Sequence, residues 1–214
     1  MIFFIAAIII ILSYMYGSFS TSRIVAKSFR SLNIYKVGSG LADTENIYTN
    51  VSKSLGILVG ALDIAKSYVC LLIIEALMRT LARYDATNTM TTLYHGNMIL
   101  VFGLSMLVGH CLPLTNKLRG GRGIFTYIGF IGYFAIYPML ITLVLAWVIV
   151  AFYRQIRFAQ YLIVILPIPL IQIFYSHLPW FRKELPPHFT LNLLGIAILM
   201  ALLNIIVSKR LGEF

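Results

Sequence analysis

The residues best suited to chemistry lie in the stretch 116–125, NKLRGGRGIF, where glycines and cations precede a long apolar run. The cations are Lys117, Arg119 and Arg122, and the glycines are Gly120, Gly121 and Gly123. Glycine lets backbone N–H groups converge on an anion, arginine binds phosphate through two hydrogen bonds, and a following helix N-terminus adds a favourable dipole. The stretch therefore predicts a phosphate cradle, although its cations would also serve as a topology signal in any membrane protein.

A second group of polar residues lies inside apolar segments, where charges are costly and usually functional. Asp63 and Lys66 are three residues apart, so they share one face of a helix. Either they form a self-neutralising pair, or Lys66 reaches an anionic ligand while Asp63 holds it in place. His110, in GHCLPL, is either a hydrogen-bonded packing residue or a catalytic group.

A second cluster of small residues, KVGSGLADTEN, begins at Lys36. Ser39 and Gly40 are candidates for another backbone anion site with Asn46 as a hydrogen-bonding neighbour, and the alternative is a plain flexible linker. Ser18, in YGSFSTS, lies where the first apolar run meets this loop. It either caps the helix end or belongs to the site.

The composition identifies the kind of molecule that positions these residues. The chain of 214 residues is 60% hydrophobic and 11% charged, and its mean hydropathy is +0.89, whereas soluble domains carry about 25% charged residues. We therefore expect an all-α integral membrane protein with one polytopic domain over residues 1–214. The net charge of +10 indicates contact with anionic lipid or anionic substrates, because no basic domain for nucleic acid stands outside the apolar segments. Cys70 and Cys111 lack metal-ligand spacing and indicate buried thiols.

Apolar runs long enough to span a membrane, which requires about 17 to 20 residues, occur at 2–19, 55–77, 98–114, 158–176 and 191–207. A further run, 124–153, is too long for one span and too short for two full ones. Two short helices fit this length, broken near 132–138, where GYFAIYP offers a glycine and a proline.

The distribution of cations predicts the orientation. Thirteen of the 17 Lys and Arg residues fall on the cytoplasmic side if about seven helices run with the N-terminus outside and the C-terminus inside. The loop that carries Arg182 and Lys183 then lies outside, as do His177 and His188. A transporter is disfavoured, because the halves show no repeat and the intramembrane charges cluster toward one face.

In this order, the segments resemble the bacterial acyl-phosphate:glycerol-3-phosphate acyltransferase family (PlsY family). That family shows Gly-Ser-x-Pro, Asp-Ile-Arg-x-x-Gly-Ser-Gly-Asn-x-Gly-Ala-Thr-Asn, Asp-x-x-Lys-Gly, and Gly-His-x-x-Pro followed by Lys-Gly-Gly-Lys-Gly-Val-Ala-Thr. The corresponding stretches here are GSFS, NIYKVGSGLADTEN, DIAKS and GHCLPLTNKLRGGRGIFT. The clear resemblance covers residues 17–126.

The resemblance implies transfer of a fatty acyl group from acyl phosphate to glycerol-3-phosphate, without metal or other cofactor, at the bacterial plasma (inner) membrane. The product would be lysophosphatidic acid, and the partners are the two substrates and membrane lipids, with no nucleic acid. The implied catalytic residues are Lys66, His110 and Ser18. Phosphate binding falls to Ser39, Gly40, Gly120, Gly121, Arg122 and Gly123, and the supporting residues are Asp63, Asn46, Lys36 and Arg119.

The chain departs from the family pattern in the first loop and at its end. Tyr35 and Leu41 replace an arginine and an asparagine, and Asp43 and Glu45 place carboxylates where phosphate would bind. The family's tail histidine has no counterpart in NIIVSKRLGEF. The alternative hypothesis is therefore a catalytically degenerate relative that binds lipid phosphate or membrane partners. It predicts both carboxylates in the pocket with no cation beside them.

Overall fold

The computed structural model describes residues 2–84, 96–178 and 185–211, and every regular element within these ranges is a helix. Arg182 and Lys183, assigned above to an outer loop, lie outside the described residues. The α-helices are α1 (Ile2–Gly17), α2 (Thr21–Arg30), α3 (Thr44–Asn50), α4 (Lys53–Ala82), α5 (Gly96–Cys111), α6 (Ile124–Phe134), α7 (Ile136–Val148), α8 (Ile156–Ile165), α9 (Pro167–His177) and α10 (Phe189–Leu211). Short 3₁₀ turns occupy Ile34–Lys36 and Leu114–Asn116, and a π turn, Ile149–Tyr153, extends α7.

Five helical segments in the described ranges are long and apolar enough to cross a membrane. They are Phe3–Arg30, Lys53–Ala82, Asn97–Asn116, Ile136–Tyr153 and Phe189–Lys209, and α8 with α9 adds a sixth if that pair is one span. The run predicted as a span at 158–176 is helical but bent, because α8 and α9 meet at an angle of 41°. Pro167 begins α9, and a proline lacks the N–H that would continue the helical hydrogen bonding.

The central run divides as predicted. Helices α6 and α7 meet at Ala135, whose φ of −141° and ψ of 69° interrupt the helical backbone. With 11 residues at about 1.5 Å per residue, α6 is about 16 Å long, roughly half the hydrocarbon thickness of a bilayer. Its residues are buried almost throughout, so α6 is an inner helix surrounded by the others.

Glycines let the helices that carry the site approach one another closely. A side chain at Gly129 of α6 would collide with the Ser67 hydroxyl and the Ile64 carbonyl of α4. Likewise, Gly109 of α5 lies against the backbone of Tyr14 and Ser18. Small residues at such contacts are typical of helix packing in membranes, and here they bring α1, α4, α5 and α6 together at one end of the bundle.

The first loop is fixed by a small hydrophobic core of its own. Val25, Ala26, Ile34, Ala42, Ile47 and Val59 are all buried in one cluster. These residues come from α2, the loop 31–43, α3 and the start of α4. The loop therefore has a defined shape beside the main core and is not a plain flexible linker.

Candidate functional site

Asp63 lies at the centre of a buried polar network where α1, α2, α4 and α5 meet. Its Oδ1 accepts a hydrogen bond from the Thr21 hydroxyl at 2.6 Å and lies 3.4 Å from Lys66 Nζ. His110 Nδ1 is 4.0 Å from the same oxygen and 3.3 Å from Lys66 Nζ. The structure thus brings His110 of α5 to the pair formed by Asp63 and Lys66 of α4.

Lys66 also ties the end of α1 to this network. Its ammonium group donates to the carbonyl oxygen of Phe19 at 2.8 Å and to that of Gly17 at 3.5 Å. Ser18 lies between these two residues, is buried, and donates its hydroxyl to the Tyr14 carbonyl at 2.9 Å. Lys66 and Ser18 therefore lie behind the cavities described below and do not line them.

The glycines of residues 116–125 are required by close backbone packing. A side chain at Gly120 would meet the carbonyl oxygens of His110 and Cys111, and one at Gly121 would meet Asp43 and Ala42. Gly123 has a φ of +76° and directly precedes α6, a left-handed conformation that favours glycine. This packing holds the loop between His110 and the first loop.

Arg122 is the one buried cation of the three in this stretch, with an exposed fraction of 5%, whereas Lys117 and Arg119 are exposed. Its guanidinium donates to the Ser208 hydroxyl at 3.1 Å, and its carbonyl accepts from the Asn204 amide at 3.4 Å. Both partners belong to α10. The last helix therefore reaches the site through Asn204 and Ser208.

Asn46 organises the first loop from within. Its amide nitrogen donates to the carbonyls of Val37 and Leu41 at 2.9 and 2.8 Å, and its amide oxygen accepts from Ser39 N–H at 3.3 Å. The loop is thus closed around the Asn46 side chain, and the Ser39 N–H is already bonded. Lys36 is exposed at the start of the same loop.

Asp43 and Glu45 both face the site, and both have partners. Asp43 accepts a hydrogen bond from Asn46 N–H at 2.9 Å at the start of α3. Burial raises the pKa of Asp43 to about 6, and the nearby Arg122 partly opposes this rise. Glu45 Oε2 lies 3.5 Å from Arg157 and 3.9 Å from Arg122, and it accepts from Gln160 at 2.9 Å.

Two cavities adjoin at Asp43, Glu45 and Arg122, which line both. The first is further lined by Thr44, Asp63, His110, Gly123, Ile124, Phe125 and Gln160. The second is further lined by Ser39, Leu41, Asn46, Thr49, Asn50 and Arg157. A buried guanidinium that lines both cavities is suited to holding an anionic group where they meet. In the described ranges, no three His, Cys, Asp or Glu side chains group closely enough to hold a metal ion.

Sequence reasoning missed four residues that complete this site: Arg157, Gln160, Asn204 and Ser208. A signal existed for the last two, since polar side chains four residues apart in an apolar helix share one face. Arg157 is one of the thirteen cations counted above on the cytoplasmic side, and no role in the site was predicted for it. His177 and His188 line neither cavity.

Comparison with known proteins agrees with this geometry. The sequence profile described as glycerol-3-phosphate acyltransferase matches residues 7–211. The chain belongs to this family. The predicted membership is thereby confirmed over nearly the whole chain, well beyond the segments that carried the resemblance.

Individual members of the family are distant in sequence. A glycerol-3-phosphate acyltransferase 3 of Dehalococcoides mccartyi strain 195 is 30% identical over 132 residues, which are 62% of this chain and 59% of that protein. The glycerol-3-phosphate acyltransferase of Shouchella clausii is 27% identical over 197 residues, 92% of this chain and 85% of that protein. Like the first of these, several of the family's curated relatives are matched over only about half of their length.

The fold of the family is shared as well. The crystal structure of PlsY, an integral membrane glycerol 3-phosphate acyltransferase, in its glycerol 3-phosphate form is similar with a TM-score of 0.69 and 21% identity. The match covers 96% of this chain and 88% of that one. The lysophosphatidic acid form matches with a TM-score of 0.67. The chain therefore has the fold of an integral membrane, multi-pass acyltransferase.

Proposed function

We propose that the protein transfers a fatty acyl group from acyl phosphate to glycerol-3-phosphate and so forms lysophosphatidic acid for phospholipid synthesis. The observation that carries this proposal is the pair of cavities that meet at the buried Arg122. Both substrates carry phosphate, and transfer requires their reacting atoms to lie side by side. Family membership and the name of the similar PlsY structures point to the same reaction.

In the proposed reaction, a hydroxyl oxygen of glycerol-3-phosphate forms an ester bond with the acyl carbon. The bond between that carbon and the phosphate oxygen breaks, and the hydroxyl proton leaves with inorganic phosphate. Arg122 would stabilise the phosphate charge from a position that needs little rearrangement. His110 would face the reacting group from the first cavity, oriented through Lys66, while Ser18 and Lys66 fix the end of α1 beside it.

Residues 116–125 and the first loop would each bind one of the two phosphates. We assign the first phosphate to Gly120, Gly121, Arg122 and Gly123, and the second to Ser39 and Gly40. Asp63, Asn46, Lys36 and Arg119 would support these positions. The cation beside Glu45 weighs against the degenerate relative, because that hypothesis required carboxylates without a neighbouring cation.

For the membrane arrangement, we propose seven helices in one domain over residues 1–214, with the N-terminus outside and the C-terminus in the cytoplasm of a bacterial inner membrane. The seven are α1, α4, α5, α6, α7, the bent pair α8–α9, and α10. The cation bias assigns the segments that contain Arg23, Asn116 and Arg157 to the cytoplasm, and contacts between these segments support this arrangement. Arg23 donates to Asn116 at 2.7 Å, and Arg157 pairs with Glu45.

The test is acyl transfer by the purified protein, with acyl phosphate and labelled glycerol-3-phosphate as substrates. We expect labelled lysophosphatidic acid from the wild type and a fall in kcat/KM of about 100-fold or more for Arg122→Gln. Lys27→Gln, which removes an exposed cation of α2, is the matched control and retains activity. A folded wild type that forms no lysophosphatidic acid refutes the proposed reaction.

A further inference from the structure

Glu45 lies where an anionic substrate would be expected to bind. Three separate groups converge on a single oxygen, Oε2: the guanidinium groups of Arg122 and Arg157 and the amide of Gln160. Such a combination of two guanidinium groups and an amide donor is suited to a phosphate oxygen. The Glu45 carboxylate therefore already makes contacts of the kind that a phosphate would make.

The position of Glu45 also allows it to yield these contacts. Its side chain is 26% exposed and that of Arg157 is 44% exposed, so both have room to move. Arg122, by contrast, is held in the interior by its bond to Ser208. An entering phosphate could take over Arg122 and Arg157 while the Glu45 carboxylate turns toward water.

We infer that Glu45 is an internal competitor for the anion subsite of Arg122 and Arg157, and that it determines how weakly this enzyme holds the phosphate of its acceptor. The inference rests on the proposed function for the identity of that acceptor. A carboxylate that remains near the subsite repels a phosphate dianion, and one that leaves gives up its pairing with two cations. In both cases Glu45 lowers the affinity for phosphate.

Removing the charge while keeping the shape of the side chain should therefore tighten binding. We expect Glu45→Gln to lower the KM for glycerol-3-phosphate by about 3- to 5-fold, a magnitude typical of one partly exposed charge near an anion. The value of kcat should change by less than about 2-fold, because Glu45 acts on binding. Glu45→Thr, which introduces the residue of the family pattern, should change KM in the same direction.

Inorganic phosphate provides a second readout that needs no turnover. Thermal unfolding of the purified protein in detergent is followed while phosphate is increased, with chloride keeping the ionic strength constant. Glu45→Gln should reach half of its maximal stabilisation at a phosphate concentration about 5-fold lower than the wild type. Glu75→Gln is the matched control, since Glu75 also pairs with an arginine, Arg79, but lies distant from both cavities along α4.

The two measurements separate the inference from the proposed reaction. Tighter phosphate binding by Glu45→Gln without acyl transfer in any variant supports the inference and refutes the reaction. An unchanged or weaker phosphate affinity in Glu45→Gln and Glu45→Thr overturns the inference. If these variants also unfold at a lower temperature than the wild type, Glu45 instead stabilises the contact between α3 and α8. Absence of phosphate stabilisation in wild type and variants alike also overturns it, since no anion subsite would then exist.

Discussion

Replacement of Lys66 by methionine tests whether the buried network around Asp63 holds this end of the bundle together. The Lys66 and Asp63 side chains are only 8% and 2% exposed, and their charged atoms lie 3.4 Å apart. The substitution keeps a side chain of similar length but removes the cation. The Asp63 carboxylate is then left buried with an uncompensated charge, and the carbonyl of Phe19 loses its donor.

The structure sets the size of the expected effect. Removal of one partner from a buried ion pair costs about 3 to 5 kcal/mol. The Thr21 hydroxyl still donates to Asp63 at 2.6 Å, so we expect the lower end of that range, about 3 kcal/mol. Solvent screening needs no large discount here, because both side chains are almost fully buried.

The assay is equilibrium unfolding in mixed micelles with an increasing fraction of denaturing detergent. A double-mutant cycle with Asp63→Asn should give a coupling energy of about 2 kcal/mol, because the double variant no longer leaves a lone buried charge. Lys27→Met, at an exposed position of α2, should stay within about 0.5 kcal/mol of the wild type. A loss below about 1 kcal/mol for Lys66→Met would refute the reasoning.

Two further predictions concern packing and pH. Gly129→Ala should destabilise the protein by about 2 kcal/mol, because the new Cβ would collide with the Ser67 hydroxyl and the Ile64 carbonyl oxygen. Gly195→Ala, with open space around it, should be neutral or slightly stabilising. Equal shifts in unfolding temperature for the two variants would contradict this. Asp43 contributes stability that is fully present below its ordinary pKa of 3.8 and is lost as the pH rises through about 6. Asp43→Asn keeps a capping side chain but removes the titrating carboxyl group. Its unfolding temperature should therefore change less between about pH 4 and about pH 7 than that of the wild type. Identical pH profiles for the two proteins would exclude Asp43 as the source of this pH dependence.

The sequence predicted best those features that depend on neighbouring residues. The break between α6 and α7 followed from a glycine and a proline in GYFAIYP, and the shared face of Asp63 and Lys66 followed from helical spacing. The bend between α8 and α9 was missed, although Pro167 and Pro169 lie in that run. The length of an apolar run indicates how long a helix is, but it does not show whether the helix axis continues straight.

Contacts between segments that are far apart in the sequence could not be predicted from local patterns. Glu45 meets Gln160 across 115 residues, and no local pattern indicates such a contact, so the partner of this carboxylate could not be predicted from the sequence. The glycines of residues 116–125 had a different difficulty. Gly120 and Gly121 are required by the close approach of the His110 backbone, and a loop shaped for packing uses the same residue type as a loop shaped for an anion.

The bond between Arg122 and Ser208 has a consequence for the biosynthesis of the protein. Ser208 follows Arg122 by 86 residues, so at about 5 to 20 residues per second the ribosome needs roughly 4 to 17 seconds to supply it. Glu45 is synthesised earlier and can neutralise Arg122 during that interval. The guanidinium of Arg122 would then gain its bond to Ser208 only when the final helix enters the membrane.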